Sequence, residues 1–304
     1  MQFWPRKRTR HSLVRVRSWA VEKTAKPLGF IGYKAGMTYV LANDNRPKST
    51  TKGDKIQLAS TIIECPPMIV VGISFYKFSK KLSSILSQKL PKELAKKIQF
   101  PKKTVKKFDD ITDYDDVRLL VVSQPKLAET GSKKPKILEI AIGGNKDDKI
   151  AYAKEILGKE IAISDVLEGV SAVDIRGVSK GKGFQGTVKR YGVPIRQHKS
   201  EKTKRGIGNL GAWTPKRVDY RVPQPGKMGY HQRTEYNKHI LKIGDKGEDV
   251  TPKGGFTKYG LVKNTYVMLK GSVIGPRNRA VLMSRTIRPT KTKLDAFDVT
   301  FIKT

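Results

Sequence analysis

A chain of 304 residues with a formal net charge of +35 is suited to a polyanion, which leaves polyphosphate or an anionic membrane surface as its partner. A membrane span is excluded, because the longest apolar run, 62–75, is too short and carries Glu64, Pro66 and Pro67. The single cysteine, Cys65, excludes an internal disulfide framework and fits a reducing cytosol, and an apolar content of 38% allows a core in parts of the chain only.

Residues 1–27 are a basic arm. Lys and Arg at 6, 7, 8, 10, 15, 17, 23 and 26 alternate with Trp4, His11 and Trp19, and no apolar segment of a secretory signal follows them. Aromatics interleaved with arginines fit an arm that stacks and pairs on RNA and orders there rather than in isolation. Residues 28–76 read as β structure. Short strands are expected at 30–33 and 37–41, with a turn at Lys34-Ala35-Gly36 between them. A polar loop at 43–54 then leads to aliphatic strands at 56–63 and 68–75. Short strands joined by polar turns point to a small barrel.

The character changes between 77 and 165. Leu82, Ile85, Leu86 and Leu90 fall at helical spacing, Pro91 stops that helix, and 92–98 is expected to form a second. Asp109, Asp110, Asp113, Asp115 and Asp116 form an acidic cluster, but their spacing does not match a calcium loop, so water-facing turn residues are expected rather than a metal site. Strands are expected at 117–122 and 137–142, and an amphipathic helix at 147–157 ended by Gly158. This block reads as an α/β domain inserted into a barrel loop. A strand at 170–175 returns to the barrel, and strands at 239–243, 255–262, 266–270 and 280–283 close it. The tail from Arg285 is basic again.

Between these barrel parts lies the stretch on which the function rests. Residues 176–234 hold fifteen Lys and Arg, two acids (Glu201 and Asp219), ten glycines and the tryptophan of Gly211-Ala212-Trp213-Thr214-Pro215. Too much like charge and too little apolar area prevent such a segment from packing on itself, so it is expected to order on a large folded nucleic acid. Two GxGxxG patterns occur here, at Gly181, Gly183, Gly186 and at Gly206, Gly208, Gly211. A dinucleotide site also needs a helix starting at its glycines, and neither Thr187 to Pro194 nor Trp213-Thr214-Pro215 reads as one. Glycines that let the backbone approach RNA closely are the better reading. His11, His198, His231 and His239 make no zinc spacing, and no nucleophile elbow is present. His198 and His231 lie among cations, where an imidazole would stack on or hydrogen-bond RNA.

Gly177-Val178-Ser179-Lys180-Gly181-Lys182-Gly183 with Gln185-Gly186 and Val188-Lys189-Arg190 resembles a family signature. So do Ile207-Gly208-Asn209-Leu210-Gly211-Ala212-Trp213-Thr214-Pro215, Gly229-Tyr230-His231-Gln232-Arg233-Thr234-Glu235 and Gly32-Tyr33-Lys34-Ala35-Gly36-Met37-Thr38. In their order along the chain they resemble the third protein of the universal large-ribosomal-subunit set, in its archaeal/eukaryotic form. The resemblance implies a mainly β chain: a translation-protein-type six-stranded β-barrel (28–76 and 166–304), an inserted α/β domain at 77–165, and a basic extension at 177–237 that threads into rRNA. It implies that the extension's tip, 211–215, reaches toward the peptidyl-transferase region and that the protein joins early in subunit assembly. Its expected partners are large-subunit rRNA and neighbouring ribosomal proteins on cytoplasmic ribosomes, with no cofactor, metal, membrane or small-molecule substrate.

The expected rRNA contacts are Arg6, Lys7, Arg8 and Arg10 in the arm, and Lys180, Lys182, Lys189, Arg190, Arg196, His198, Lys199, Lys204, Arg205, Lys216, Arg217, Arg221, His231 and Arg233 around the extension. Trp213 is its rigid tip, and Gly181, Gly183, Gly186, Gly206, Gly208 and Gly211 are the points of close backbone approach. Two other classes fit the residues less well. An RNA-modifying enzyme needs a cofactor pocket with convergent acids or a nucleophile, and none is visible. A chromatin-type DNA packager would show short repetitive basic helices rather than an α/β insert and a single aromatic-tipped loop.

Overall fold

The computed structural model describes residues 7–100, 108, 110–200, 202–290 and 297–304. The chain is mainly β. It runs through β1 (Gly29–Asp44), β2 (Lys55–Glu64), β3 (Met68–Lys77), β4 (Lys80–Leu86), β5 (Asp116–Val122) and β6 (Ile137–Ala141), then α1 (Lys146–Ile156), β7 (Glu160–Ile161), α2 (Ile163–Leu167) and β8 (Ala172–Val178). The basic stretch contributes β9 (Gly181–Gln185), α3 (Thr187–Tyr191) and β10 (Gly226–Gly229). The chain continues with β11 (Gln232–Gly244), β12 (Tyr266–Lys270), β13 (Ala280–Arg285) and β14 (Phe297–Ile302).

Six of these strands pair in a closed antiparallel circuit, β1–β2–β12–β11–β8–β13 and back to β1, and β14 lies outside it on the far half of β1. Closure leaves no open edge among the six. A second sheet has the order β4–β3–β5–β6, with β7 on the start of β3. The strand at Met68–Lys77, grouped with the first β unit by sequence, is thus paired within the second sheet; the break falls at Pro66-Pro67, which cannot donate to either ladder. The two sheets share one apolar core, in which Phe30, Ile63 and Met283 belong to the circuit and Phe75, Leu119 and Ile140 to the second sheet. Tyr33 Oη donates to Ser123 Oγ across the junction at 2.8 Å, and Leu28 N donates to Ala141 O at 3.0 Å.

Several expectations are corrected. Residues 29–44 form one strand rather than two. Lys34-Ala35-Gly36 is a bulge in it, and Gly36 is needed because Phe256 lies where its side chain would be. The helix expected at 82–90 is instead β4, a hairpin partner of β3; the turn places Phe78 and Ser79 at φ 47° and 61°. Neither residue type announces a left-handed turn, and only Ile85 of β4 is buried, so its helical spacing was coincidental. Lys92–Lys96 is a 3₁₀ turn. Residues 255–262 form a loop rather than a strand, in which Phe256, Tyr259 and Val262 are driven into the core.

Two aspartates of the acidic cluster hold the hairpin in place, and a third braces β5 against α1. Asp113 pairs with Lys77, Asp115 accepts the Phe78 N–H at 2.8 Å, and Asp116 pairs with Arg118 and Lys149 at 3.2 and 2.9 Å. Asp109 lies outside the described residues.

The arm is not an uncored tail. Val14 and Val16 are buried, and Arg176 Nη2 donates to Ser18 O at 3.2 Å. Val14-Arg15-Val16-Arg17 alternates apolar with basic, which puts one face on the protein and the other outward.

His239 on β11 is buried against the edge of Phe297, at a centroid distance of 5.5 Å. Burial, then nearby Lys270, lowers its pKa below the ordinary value. The unfolded chain therefore takes up a proton here that the folded chain resists, so the stability contributed at neutral pH is lost as pH falls below about 6.5. His239→Gln is expected to be less stable than wild type at pH 7.5 in urea titrations, with the gap narrowing at pH 5.5. A gap that does not change with pH would show that the imidazole is not the titrating group.

Candidate nucleic-acid interface

The basic stretch leaves the six-strand circuit at the end of β8 and returns to it at the start of β11. Its root is pinned by cations that cap carbonyls. Arg279 Nη1 donates to Val178 O and Ser179 O at 3.0 and 2.9 Å, and Lys34 Nζ donates to Val273 O and to Gly275 O, the latter at 3.2 Å. Burial first, then Lys180, lowers the Lys34 pKa. Gly229 sits at φ 76°, and a Cβ there would run into Lys180 O, so the β9–β10 pairing depends on glycine.

The arm is fastened to this same root. Thr9 N donates to Tyr230 O at 2.9 Å, and Arg8 and Arg279 each lie 5.0 Å from the Tyr230 ring centroid. Tyr230 itself sits at φ 55°, a strained position for an aromatic.

Beyond the root, Gly186 leads into the short helix α3, which ends at Gly192 in the left-handed conformation. A helix thus does begin at the first GxGxxG, contrary to expectation, but it is only five residues long. Arg190 Nη1 donates to Gln224 O at 2.7 Å and ties the outgoing and returning strands together. Residues 193–225 contain no regular element among those described. They are held by local bonds, such as Arg196 N to Lys204 O at 3.1 Å and Gly211 N to Asn209 Oδ1 at 2.8 Å.

On this frame Lys180, Lys182, Lys189, Arg196, His198, Lys199, Lys204, Arg205, Lys216, Arg217 and Arg221 are exposed, as are Lys7, Arg8 and Arg10 of the arm. Trp213 is 82% exposed, with Lys216 Nζ 5.8 Å from its ring centroid, and Leu210 is 53% exposed. Trp213 therefore anchors no local apolar cluster. Phe184 and Tyr220 stand out in the same way, at 72% and 74%.

Some sequence-predicted residues do not join this open face. His231 is buried, and its Nδ1 bonds Lys7 O at 2.6 Å, so it fastens the arm rather than facing outward. Arg233 and Arg190 are half-buried. Arg221 is on the open face but paired in two-pronged fashion with Asp219, at 3.1 and 2.8 Å, and this pairing holds the Asp219 pKa down to about 2. Arg6 and Glu201 lie outside the described residues. The Tyr230 stack was missed in the sequence, as were the exposed Lys202 and Lys227, although both lysines belong to the same basic run.

The named glycines divide into kinds. Gly183 and Gly211 lie at φ 66° and 116° and need to be glycine for backbone reasons. Gly186 and Gly208 have no positive φ and nothing within 4 Å of an added Cβ, so the protein alone gives no reason for glycine there.

Comparison with known proteins decides the family. The Ribosomal protein L3 family model matches residues 1–114 and 77–304. The chain is 45% identical over 317 aligned positions to the large ribosomal subunit protein uL3 of Methanocaldococcus jannaschii, covering 100% of this chain and 95% of that one. The uL3 proteins of Methanococcus aeolicus and Methanobrevibacter smithii are 42% and 41% identical, at 95% and 94% of their lengths. The chain belongs to the ribosomal protein L3 family. Members of the L3 family are structural components of the large ribosomal subunit in translation, not enzymes, which removes the RNA-modifying alternative. Among the described residues no helix is long and apolar enough to cross a membrane, and no group of three or more His, Cys, Asp or Glu could hold a metal ion.

Proposed function

We propose that this chain binds large-subunit rRNA through the 177–237 extension and the outer face of its arm, and that it helps nucleate subunit assembly in the cytoplasm. In this reading the closed six-strand circuit is the translation-protein-type barrel and lies on the subunit's exterior. The second sheet and its helices are the insert, starting near Pro66-Pro67 and facing neighbouring ribosomal proteins. The extension carries Trp213 toward the peptidyl-transferase centre.

The observation that carries the proposal is the extension's exposed charge. Lys180, Lys182, Lys189, Lys199, Lys204 and Arg205 are open and have no carboxylate partner among the described residues, and exposed Phe184, Leu210 and Trp213 lie among them. Repelling cations beside unburied rings form a surface that a polyphosphate with stackable bases would satisfy at every point. Gly186 and Gly208 fit the same partner, since the space beside them is what a closely approaching backbone would fill.

Each phosphate contact contributes about −0.7 to −0.9 to the slope of log affinity against log salt. Lys204→Ala with Arg205→Ala is expected to make the slope for large-subunit rRNA shallower by roughly one to two units. An unchanged slope would show that the extension does not contact phosphate there.

A further inference from the structure

A second cationic site lies away from the extension, where the arm crosses the second sheet. A cavity of about 430 Å³ is lined by His11, Arg15, Lys97, Arg118, Lys136 and Glu139 over an apolar floor that includes Leu13 and Leu138. Its cations come from four separate parts of the chain: the arm, the end of the 3₁₀ turn, β5 and the lead into β6. The only carboxylate among the described residues of its lining, Glu139, is already taken by Ser74 and Lys81 at 3.1 and 2.9 Å and by Tyr76. Arg118 pairs with Asp116 and stacks on Tyr76 at 4.2 Å. The side chains of Arg15, Lys97 and Lys136 have no anionic partner among the described residues. Burial, and then the charges of Lys136 and Lys134, lowers the Lys97 pKa, as expected where ammonium groups crowd without a counterion. In isolation this arrangement is destabilising, and folding alone does not call for it.

We propose that this cavity is a phosphate-binding cleft for the rRNA backbone, in which Arg15, Lys97 and Lys136 hold one or two consecutive phosphodiesters and the Leu13–Leu138 floor receives the ribose between them. A concave wall of amines and a guanidinium over an aliphatic base matches a sugar-phosphate backbone, with charge at the rim and an apolar sugar face below. An acidic protein segment would satisfy the amines as well, but it carries no sugar face between successive anions to cover the aliphatic floor. Because the arm supplies one wall, RNA bound here would also hold residues 11–16 against the sheet. The inference rests on the rRNA reading above and adds a contact on the second sheet.

The test compares Lys97→Gln/Lys136→Gln with Lys204→Ala/Arg205→Ala, both in the full chain, binding deproteinised large-subunit rRNA across a salt series. Neither lysine side chain of the cavity pair has a described anionic partner to lose, and removing them relieves their mutual repulsion, so circular dichroism should match wild type and the unfolding midpoint should not fall. The cavity variant is expected to shorten the salt slope by about one to two units, additively with the extension variant. If the extension variant shortens the slope and the cavity variant does not, the cleft is overturned and the rRNA reading stands. If neither variant shortens it, the rRNA reading itself fails. In assembled subunits a short photocrosslinker on Lys136→Cys is expected to label RNA; a label confined to a neighbouring protein would overturn the cleft in favour of an acidic protein segment.

Discussion

Glu64→Ala is expected to destabilise the free protein by roughly 3–5 kcal/mol, at the upper end of what one substitution does to a folded chain. Glu64 ends β2 with no solvent exposure. Its Oε1 accepts Lys263 N at 2.9 Å, Asn264 N at 3.0 Å and Asn264 Nδ2 at 2.7 Å, and its Oε2 accepts the Tyr259 hydroxyl. Burial, reinforced by the carboxylate, raises the Tyr259 pKa, so this hydroxyl remains a donor across the accessible pH range. Four donors from one loop thus converge on a single side chain, and the loop carries Phe256, Tyr259 and Val262 into the core. Alanine would strand those donors and loosen the apolar plug with them. A fall in the thermal midpoint of roughly 6–20 °C follows for a chain of this size. Glu64→Gln should cost less, because its amide oxygen still accepts part of the set. A midpoint within about a degree of wild type for Glu64→Ala would mean that the loop closes without its carboxylate.

How much of this was legible depends on which force shaped each part. The aliphatic runs of β3, of β12 and of the second half of β2 were readable because burial on both sides demands branched side chains, and 266–270 was placed residue for residue. The basic stretch was readable because its charge has no local compensation. What failed was set by distant contacts. Glu64 read only as a polar interruption in an apolar run, since nothing in the sequence says that residues near 260 return to it. The spacing of Phe256, Tyr259 and Val262 belongs to a loop folded inward rather than to a strand. Phe297–Ile302 read as basic tail, yet it pairs with β1 along Val40–Asp44. His231 had the composition of an RNA contact and the position of a clasp: its neighbours in sequence are basic, but its neighbour in space is the carbonyl of Lys7.

Trp213→Ala is expected to leave the protein's fold and its incorporation into subunits intact while changing what the subunit does. With 82% of the residue exposed and no aliphatic cluster beneath it, the free protein should lose no more than about 0.5 kcal/mol of stability. A base–aromatic contact is worth about 1–3 kcal/mol, small beside the many phosphate contacts proposed for the extension, so rRNA binding should survive. The same 1–3 kcal/mol would weaken one local contact by roughly 5- to 150-fold, enough to unlock a single nucleotide near a functional centre. Aminoacyl-tRNA entry, or sensitivity to drugs at the peptidyl-transferase centre, is the expected place for the change. Trp213→Phe should restore much of the effect, because a planar ring still stacks, whereas Trp213→Leu should not. Variant subunits that match wild type in peptide-bond formation, tRNA binding and drug response would rule out the stacking role. Failure of the free variant to fold would return Trp213 to a structural one, against its open position at the end of a cationic loop.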